Sequence, residues 1–191
     1  EDAGKLVHSP FGDVSYPDYN RCGVPLLEIV SEPDFRSSEE VIAYLIKLKS
    51  TLKYLGVSDC KMEEGSMRAD VNLSVRKAGS ETFGTRTEMK NINSFKAIER
   101  AIAFEAQRQI DALEFGETIV QETRRWDDNR RKTYSMRSKE NAQDYRYFPE
   151  PDIPPITIDD EMMQHLTEAQ LEMAEAKQKR YMRDYGMSEK T

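Results

Sequence analysis

The spacing of apolar residues changes twice along the middle of the chain, and this change limits the folds open to it. Between residues 41 and 55 the apolar positions recur every three or four residues, which is typical of a helix with one buried face. Between residues 69 and 76 the spacing becomes two, and between residues 95 and 106 it returns to three and four. The pattern predicts helices packed on a sheet, and therefore an α+β fold.

Both predicted helices carry residues that determine their ends. Ser37 followed by Glu40 forms a capping box, and Gly56 closes the first helix. Asn93 or Ser94 caps the second helix, and Gly116 ends it. The apolar stripe of the second helix is expected to pack on the sheet.

The segment 69–76 is predicted to be a strand with one apolar and one polar side. Its polar side contains Asp70, Asn72, Ser74 and Arg76. A second strand over 85–90 carries Arg86, Glu88 and Lys90 on one face. If the two strands form a hairpin, their polar sides make a charged floor. Another hairpin is predicted from residues 118–127 and 132–136, giving a mixed, largely antiparallel sheet overall.

The first 35 residues and the last 25 differ from this central region. Closely spaced prolines and glycines predict turns and extended backbone over 1–35. Thr167 with Gln170 is interpreted as the cap of one helix that runs to about Tyr185. We therefore predict that 1–166 is part of one domain and that 167–191 begins a helical domain.

The composition argues against several classes of protein. The net charge is -7, which disfavours a basic patch for nucleic acid, and no apolar run approaches the roughly 20 residues of a membrane span. Cys22 and Cys60 lack metal-like spacing, so free thiols in a reducing, cytoplasmic compartment are expected. Because the chain begins at Glu1 rather than Met, we expect it to be a fragment.

Acids and cations on the predicted floor suggest a phosphate and metal site. Mg²⁺ with nucleotide phosphates needs hard oxygen ligands together with cations that neutralise phosphate. The candidate acids are Glu1, Glu28, Asp70 and Glu88, and the candidate cations are Arg21, Arg86 and Lys90. The alternative for the strand residues is a set of ordinary salt bridges on a solvated sheet.

Glu28 stands out because apolar residues surround it in PLLEIV at 25–30. Such an acid either points outward from an edge strand or is drawn inward by a metal or cation, and we favour the metal. No glycine loop of a known phosphate-binding type occurs, and His8 and His165 are too isolated for zinc or a nucleophile triad. Trp126 has two readings: it stacks a base, or it carries an arginine on the surface.

Several blocks of the sequence resemble the B subunit of the glutamyl-tRNA(Gln)/aspartyl-tRNA(Asn) amidotransferase. The longest are PLLEIVSEPD at 25–34, KMEEGSMRAD at 61–70, EMKNINSF at 88–95 and the stiff, proline-containing DYRYFPEPD at 144–152. Shorter blocks lie at 1–5, 20–24, 121–124 and 136–140. The resemblance covers residues 1 to about 160 in the same order.

The resemblance implies a cradle-shaped α/β domain that acts within a carbon–nitrogen ligase. With ATP and Mg²⁺ it would phosphorylate the side-chain carboxylate of mischarged Glu-tRNA(Gln) or Asp-tRNA(Asn). Ammonia, released from glutamine by the amidase of the complex (its A subunit), would travel through a channel and displace the phosphate. The heterotrimer would be completed by the C subunit.

The resemblance also implies roles for individual residues. Glu1 and Glu28 match the metal ligands of the family, and Asp70, Glu88 and Lys90 match motifs on the same floor and join them as catalytic candidates. Independently of the resemblance, the charges of Arg21 and Arg86 and the place of Asn91 beside Lys90 make these three residues the candidates for nucleotide binding. The family site also uses a His and a Glu from a strand outside this chain, so the isolated chain is expected to be inactive.

Two alternatives to this function stay open. The chain can be a scaffold whose acids are salt-bridged and which only docks partner proteins. It can also be the archaeal tRNA(Gln)-specific relative, although the short spacing of the blocks favours the heterotrimeric enzyme.

Overall fold

The computed structural model describes residues 5–20, 22–138, 149 and 151–189. The chain divides into two compact units, residues 1–34 and 35–191. Within the described residues no helix is both long and apolar enough to span a membrane. Cys22 and Cys60 are both free thiols, as predicted.

The first unit contains one small antiparallel hairpin. Strand β1 (Lys5–His8) pairs with strand β2 (Ser15–Asp18). Nδ1 of His8 lies 2.7 Å from the hydroxyl oxygen of Ser15 across the pair. Residues 22–34 have turns and irregular backbone, in agreement with the predicted turn-rich region.

The second unit is built on a four-stranded sheet in the order β3 (Val71–Leu73), β4 (Thr87–Lys90), β5 (Glu122–Asp127) and β6 (Lys132–Ser138). The pairs β3–β4 and β5–β6 are antiparallel hairpins, as predicted, whereas β4 and β5 are parallel. Parallel neighbours need a crossover, which a helix provides. The predicted α+β fold with a mixed, largely antiparallel sheet is confirmed.

Two helices begin where the sequence places their caps. Helix α1 (Ser38–Tyr54) begins after Ser37, whose hydroxyl accepts from the backbone N–H of Glu40 at 3.3 Å. Helix α2 (Phe95–Glu114) begins after Ser94, whose hydroxyl accepts from the backbone N–H of Ala97 at 3.1 Å. The side chain of Glu40 accepts from the Arg36 N–H rather than completing the expected capping box.

The hydrophobic core lies between the sheet and these helices. Helix α2 is the crossover between β4 and β5, and it covers one face of the sheet. Met89, Ile98, Ala101 and Trp126 are buried there, and Leu45 joins them from α1. The opposite face of the sheet carries Asn72, Glu88, Lys90 and Arg125.

The burial of Trp126 contradicts both interpretations that the sequence left open for this residue. Its side chain is only 1% exposed, and its ring meets Phe104 edge-on at 6.3 Å between centroids. Its indole N–H donates to the carboxylate of Asp128 at 3.0 Å. Buried in this way, Trp126 neither stacks a base nor carries an arginine on the surface.

Strand β3 is shorter than the predicted segment 69–76 because a side chain takes over its pairing. The amide of Gln109 on α2 donates to the Leu73 carbonyl at 3.3 Å and accepts from the Val75 N–H at 3.2 Å. These bonds satisfy the backbone beyond Leu73 without a strand partner.

The single helix predicted after Thr167 is wrong. Two helices occur instead, α3 (Asp160–Glu168) and α4 (Ala174–Tyr185). Asp159 caps α3 by accepting from the Met162 N–H at 2.8 Å, and Thr167 lies inside that helix. The predicted end near Tyr185 is confirmed by Gly186 with φ 65°. The domain boundary at 166/167 stays a prediction.

Candidate functional site

We call the face of the sheet opposite α2 the open face. The strand register places its side chains in two rows that cross the strands. The first row is Lys90, Arg125 and Tyr134, and the second is Asn72, Glu88 and Thr123. Asp70, immediately before β3, joins the first row through its ion pair with Lys90. Side chains at alternate positions of a strand share a face, so both rows point away from α2.

Ion pairs on the open face connect Lys90 of β4 with Glu88 of the same strand and with Asp70, which immediately precedes β3. The ammonium of Lys90 lies 2.7 Å from a carboxylate oxygen of Asp70 and 3.4 Å from one of Glu88. The hydroxyl of Thr123 on β5 donates to the other oxygen of Glu88 at 3.0 Å. The charged floor that the sequence predicts at this hairpin is therefore present.

The electrostatics of this cluster keep Lys90 charged. The hydrogen bond to Asp70 raises the pKa of the Lys90 ammonium above its ordinary value, although partial burial opposes this rise. The Lys90 side chain remains 37% exposed and that of Asp70 46%. A ligand on the open face would thus meet a protonated amine between two carboxylates.

The donor set of the open face can be compared with the needs of a metal. Mg²⁺ is commonly held by one or two carboxylates, with waters and substrate phosphates as further ligands. Asp70 and Glu88 supply two carboxylates, and Lys90 supplies a cation for phosphate oxygens. In the described part of the chain, no group of three or more His, Cys, Asp or Glu is arranged to hold an ion. Asp70 and Glu88 thus offer carboxylates next to a cation, and a metal at this face would need further ligands from a phosphate or from other residues.

A second polar cluster lies under the covered face of the sheet. This buried network consists of Thr87, Glu105, Arg108, Gln109, Arg124 and Thr133. Glu105 is 0% exposed and accepts from Arg108 at 2.6 Å, Thr133 at 2.8 Å and Thr87 at 2.9 Å. The guanidinium of Arg124 lies 3.3 Å from the same carboxylate. The network joins α2 to β4, β5 and β6.

Hydrogen bonds keep Glu105 ionised in spite of its burial. Burial by itself raises the pKa of the Glu105 carboxyl, but the bonds from Arg108, Gln109 and Thr133 outweigh it. The pKa of Glu105 therefore lies below its ordinary value of 4.5.

Comparison with known proteins identifies the family. The family model described as GatB/GatE catalytic domain matches residues 1–164. The chain belongs to this family.

Curated relatives of this family member come from several bacteria. A protein of Lachnospira eligens is 65% identical over 189 residues, which make up 99% of this chain and 39% of that protein. A protein of Caldicellulosiruptor saccharolyticus is 59% identical over 99% of this chain and 39% of its own length. A protein of Chlorobium phaeobacteroides is 57% identical over 98% of this chain and 39% of its own length. All three are named as the B subunit of aspartyl/glutamyl-tRNA(Asn/Gln) amidotransferase. The chain thus spans about two fifths of the length of these relatives.

The structure separates the predicted site residues of this GatB/GatE-type domain into groups. Asp70, Glu88 and Lys90 come together on the open face. Arg86 is exposed immediately before β4, and the side-chain amide of Asn91 donates to the Trp126 carbonyl at 3.1 Å. The roles assigned to these residues stay predictions.

Other predicted residues belong to the first unit or lie outside the described residues. Glu28 is exposed in irregular backbone, where its neighbours Leu27 and Val30 are also exposed. Glu1 and Arg21 lie outside the described residues, as does nearly all of the segment 144–152. The prediction that Glu1 and Glu28 share a metal ion is therefore not tested.

Sequence reasoning missed three residues of the open face: Thr123, Arg125 and Tyr134. Thr123 and Arg125 alternate with Arg124 and Trp126, so a two-residue spacing was present in the predicted strand. That spacing does not show which residues of β4 lie beside Thr123 and Arg125. The parallel pairing of β4 and β5 in the structure places Arg125 beside Lys90.

Proposed function

We propose that the chain is part of the B subunit of the tRNA-dependent amidotransferase. The enzyme uses ATP and Mg²⁺ to phosphorylate the side-chain carboxylate of Glu-tRNA(Gln) or Asp-tRNA(Asn), and ammonia then converts the product to Gln-tRNA(Gln) or Asn-tRNA(Asn). The names of the relatives support this assignment. The observation that carries it is the protonated Lys90 held between Asp70 and Glu88 on the open face.

The reaction proceeds in two substitutions. An oxygen of the substrate carboxylate attacks the terminal phosphorus of ATP, the bond to the bridging oxygen breaks, and ADP leaves. Ammonia then attacks the acyl carbon, inorganic phosphate leaves, and a proton is lost. Phosphoryl transfer depends mainly on positioning and on stabilising charge that spreads over the phosphoryl oxygens.

The residues of the open face provide positioning and charge for the first substitution. Lys90 donates N–H groups to phosphoryl oxygens and remains protonated, because Asp70 holds its pKa high. Asp70 and Glu88 orient Lys90, and Thr123 orients Glu88. Glu1 and Glu28 are the proposed ligands of Mg²⁺, which would supply positive charge to neutralise the phosphates. Arg21, Arg86 and Asn91 are proposed to bind the nucleotide.

The proposal includes partners and a location. The amidase, which is the A subunit, supplies ammonia through a channel. The heterotrimer is completed by the C subunit, and it acts in the cytoplasm. The bacterial relatives carry the name of the aspartyl/glutamyl enzyme, which favours this assignment over the archaeal tRNA(Gln)-specific relative.

The test uses the full-length heterotrimer, assayed separately for glutaminase activity and for ADP release with mischarged tRNA. Lys90→Met is expected to lower the rate of phosphorylation by roughly 100-fold, the usual effect of removing one donor to a developing negative charge. Glu28→Gln is expected to lower it as well, while glutaminase activity persists in both variants. The control is Lys61→Met, whose ion pair with Glu64 at 2.8 Å lies in a surface loop. A Lys90→Met enzyme that phosphorylates at the wild-type rate would contradict the proposal.

A docking scaffold is the second candidate function, because both carboxylates near Lys90 are engaged in ion pairs. Mg²⁺ titration of the full-length complex with ATP separates the two functions. If the complex binds Mg²⁺, its unfolding temperature rises with the ion concentration. A scaffold without a metal site shows no such change.

A further inference from the structure

Two cations stand side by side on the open face. Lys90 on β4 and Arg125 on β5 are direct partners in the parallel register. Neighbouring strands lie about 4.8 Å apart, and like charges placed opposite each other destabilise a sheet. An anion close to both side chains would offset this repulsion.

The carboxylates of the open face satisfy only one of these two cations. Lys90 binds Asp70 at 2.7 Å and Glu88 at 3.4 Å. The guanidinium of Arg125 is exposed and has no hydrogen-bond or ion-pair partner among residues 5–20, 22–138, 149 and 151–189. Its five N–H donors are therefore available to a ligand.

The preceding arginine shows the opposite arrangement. Arg124 points to the covered face, where its guanidinium donates to the Thr133 hydroxyl at 2.9 Å and to the Glu122 carboxylate. Its side chain is 11% exposed. Of two consecutive arginines on one strand, Arg124 is hydrogen-bonded within the fold and Arg125 is not. Arg125 is the one that faces the proposed site.

A further cation extends the positive charge of the row. Tyr134 on β6 is the register partner of Arg125. A hydrogen bond with Tyr134 raises the pKa of the Arg130 guanidinium above its ordinary value. The positive charges of Arg125 and Arg130 therefore lie toward β5 and β6, whereas Asp70 and Glu88 lie toward β3 and β4.

We infer that Arg125 binds phosphate oxygens of the nucleotide, with Lys90 as its neighbour on the same phosphates. A guanidinium suits this role because its planar N–H groups match two phosphate oxygens at once. The inference rests on the proposed function, since it takes the ATP of that reaction as the ligand. It adds a residue from β5 to the group formed by Asp70, Glu88 and Lys90 on the open face.

The experiment compares Arg125→Met and Arg125→Lys in the full-length heterotrimer. Binding of ATP with Mg²⁺ is measured by calorimetry, and KM for ATP and kcat are measured with mischarged tRNA. Arg125→Met is expected to raise the Kd and KM for ATP roughly tenfold or more. Arg125→Lys recovers only part of the loss, because an ammonium binds phosphate as a point charge.

The control is Lys96→Met, which removes one exposed positive charge from α2 on the other side of the sheet. It should leave the Kd for ATP unchanged, and glutaminase activity checks the assembly of all variants.

Three outcomes would count against the inference. Wild-type affinity for ATP in Arg125→Met overturns it and leaves the proposed function intact. An effect confined to the KM for tRNA also overturns it, because the phosphate would then belong to RNA. Failure of the wild-type complex to bind ATP overturns the proposed function, and this inference with it.

Discussion

The two faces of the four-stranded sheet carry the same kinds of charged residue in different surroundings. On the covered face Glu105 is 0% exposed and binds Arg108 and Arg124. On the open face Lys90 binds Asp70 and Glu88, and its side chain is 37% exposed. A buried ion pair is costly to break, whereas an exposed one contributes little to stability and can exchange partners.

Neighbouring residues of single strands divide between these faces. On β4, Thr87 donates to Glu105 whereas Glu88 lies beside Lys90. On β5, Arg124 joins the buried network whereas Arg125 is exposed. Location, not residue type, therefore separates a charge that stabilises the fold from one that is accessible to a ligand.

The largest expected effect is the removal of the buried carboxylate. Glu105→Ala leaves Arg108 and Arg124 without their shared partner, so the free energy of unfolding should fall by about 3–5 kcal/mol. Urea denaturation of the chain measures this loss, and the fluorescence of Trp126, its single tryptophan, reports on the core.

The matched control for this variant is Glu99→Ala, which removes an exposed carboxylate from the same helix. If the two variants lose equal stability, the buried carboxylate contributes no more to the fold than an exposed one. That result would contradict the structural role given to the covered face.

A smaller effect concerns acid stability. Because the pKa of Glu105 is lowered on folding, its stabilising contribution is complete above the ordinary value of 4.5 and is lost as the pH falls through the folded value. The stability difference between the wild type and Glu105→Gln should therefore shrink as the pH falls from about 7 to about 3. Urea midpoints across this range measure it. A difference that stays constant with pH would mean that Glu105 is not ionised in the folded chain.

The smallest expected effect on stability comes from the open face. Lys90→Met should change the free energy of unfolding by less than about 1 kcal/mol, because an exposed ion pair contributes little. Lys61→Met, which breaks the surface pair with Glu64, serves as the reference in the same urea titration. A loss for Lys90→Met as large as that for Glu105→Ala would show that the open face is structural, and would favour the scaffold function.

Prediction from the sequence succeeded where the signal is local. The caps at Ser37 and Ser94 and both hairpins of the sheet are confirmed, since each depends on residues that are close in the chain. Prediction was wrong at Thr167, where Asp159 offers a better cap for an earlier helix. It was also wrong for Trp126, because flanking arginines do not reveal that a strand residue is buried beneath a helix.

Half of the candidate site was predictable in the same way. Asp70, Glu88 and Lys90 belong to one hairpin, so alternation along two neighbouring strands was sufficient to bring them together. Thr123 and Arg125 were not predictable, because they reach the open face through a parallel pairing that follows a whole helix.

The sequence by itself determined the family, the local helices and strands, and the polar side of the β3–β4 hairpin. These follow from motifs and from spacing within a few residues. Only the tertiary structure decided which cation is paired and which is exposed. The α2 crossover sets the register that places Arg125 beside Lys90, and it buries Arg124 with Glu105. Such a register depends on the packing of distant segments, which no local pattern encodes.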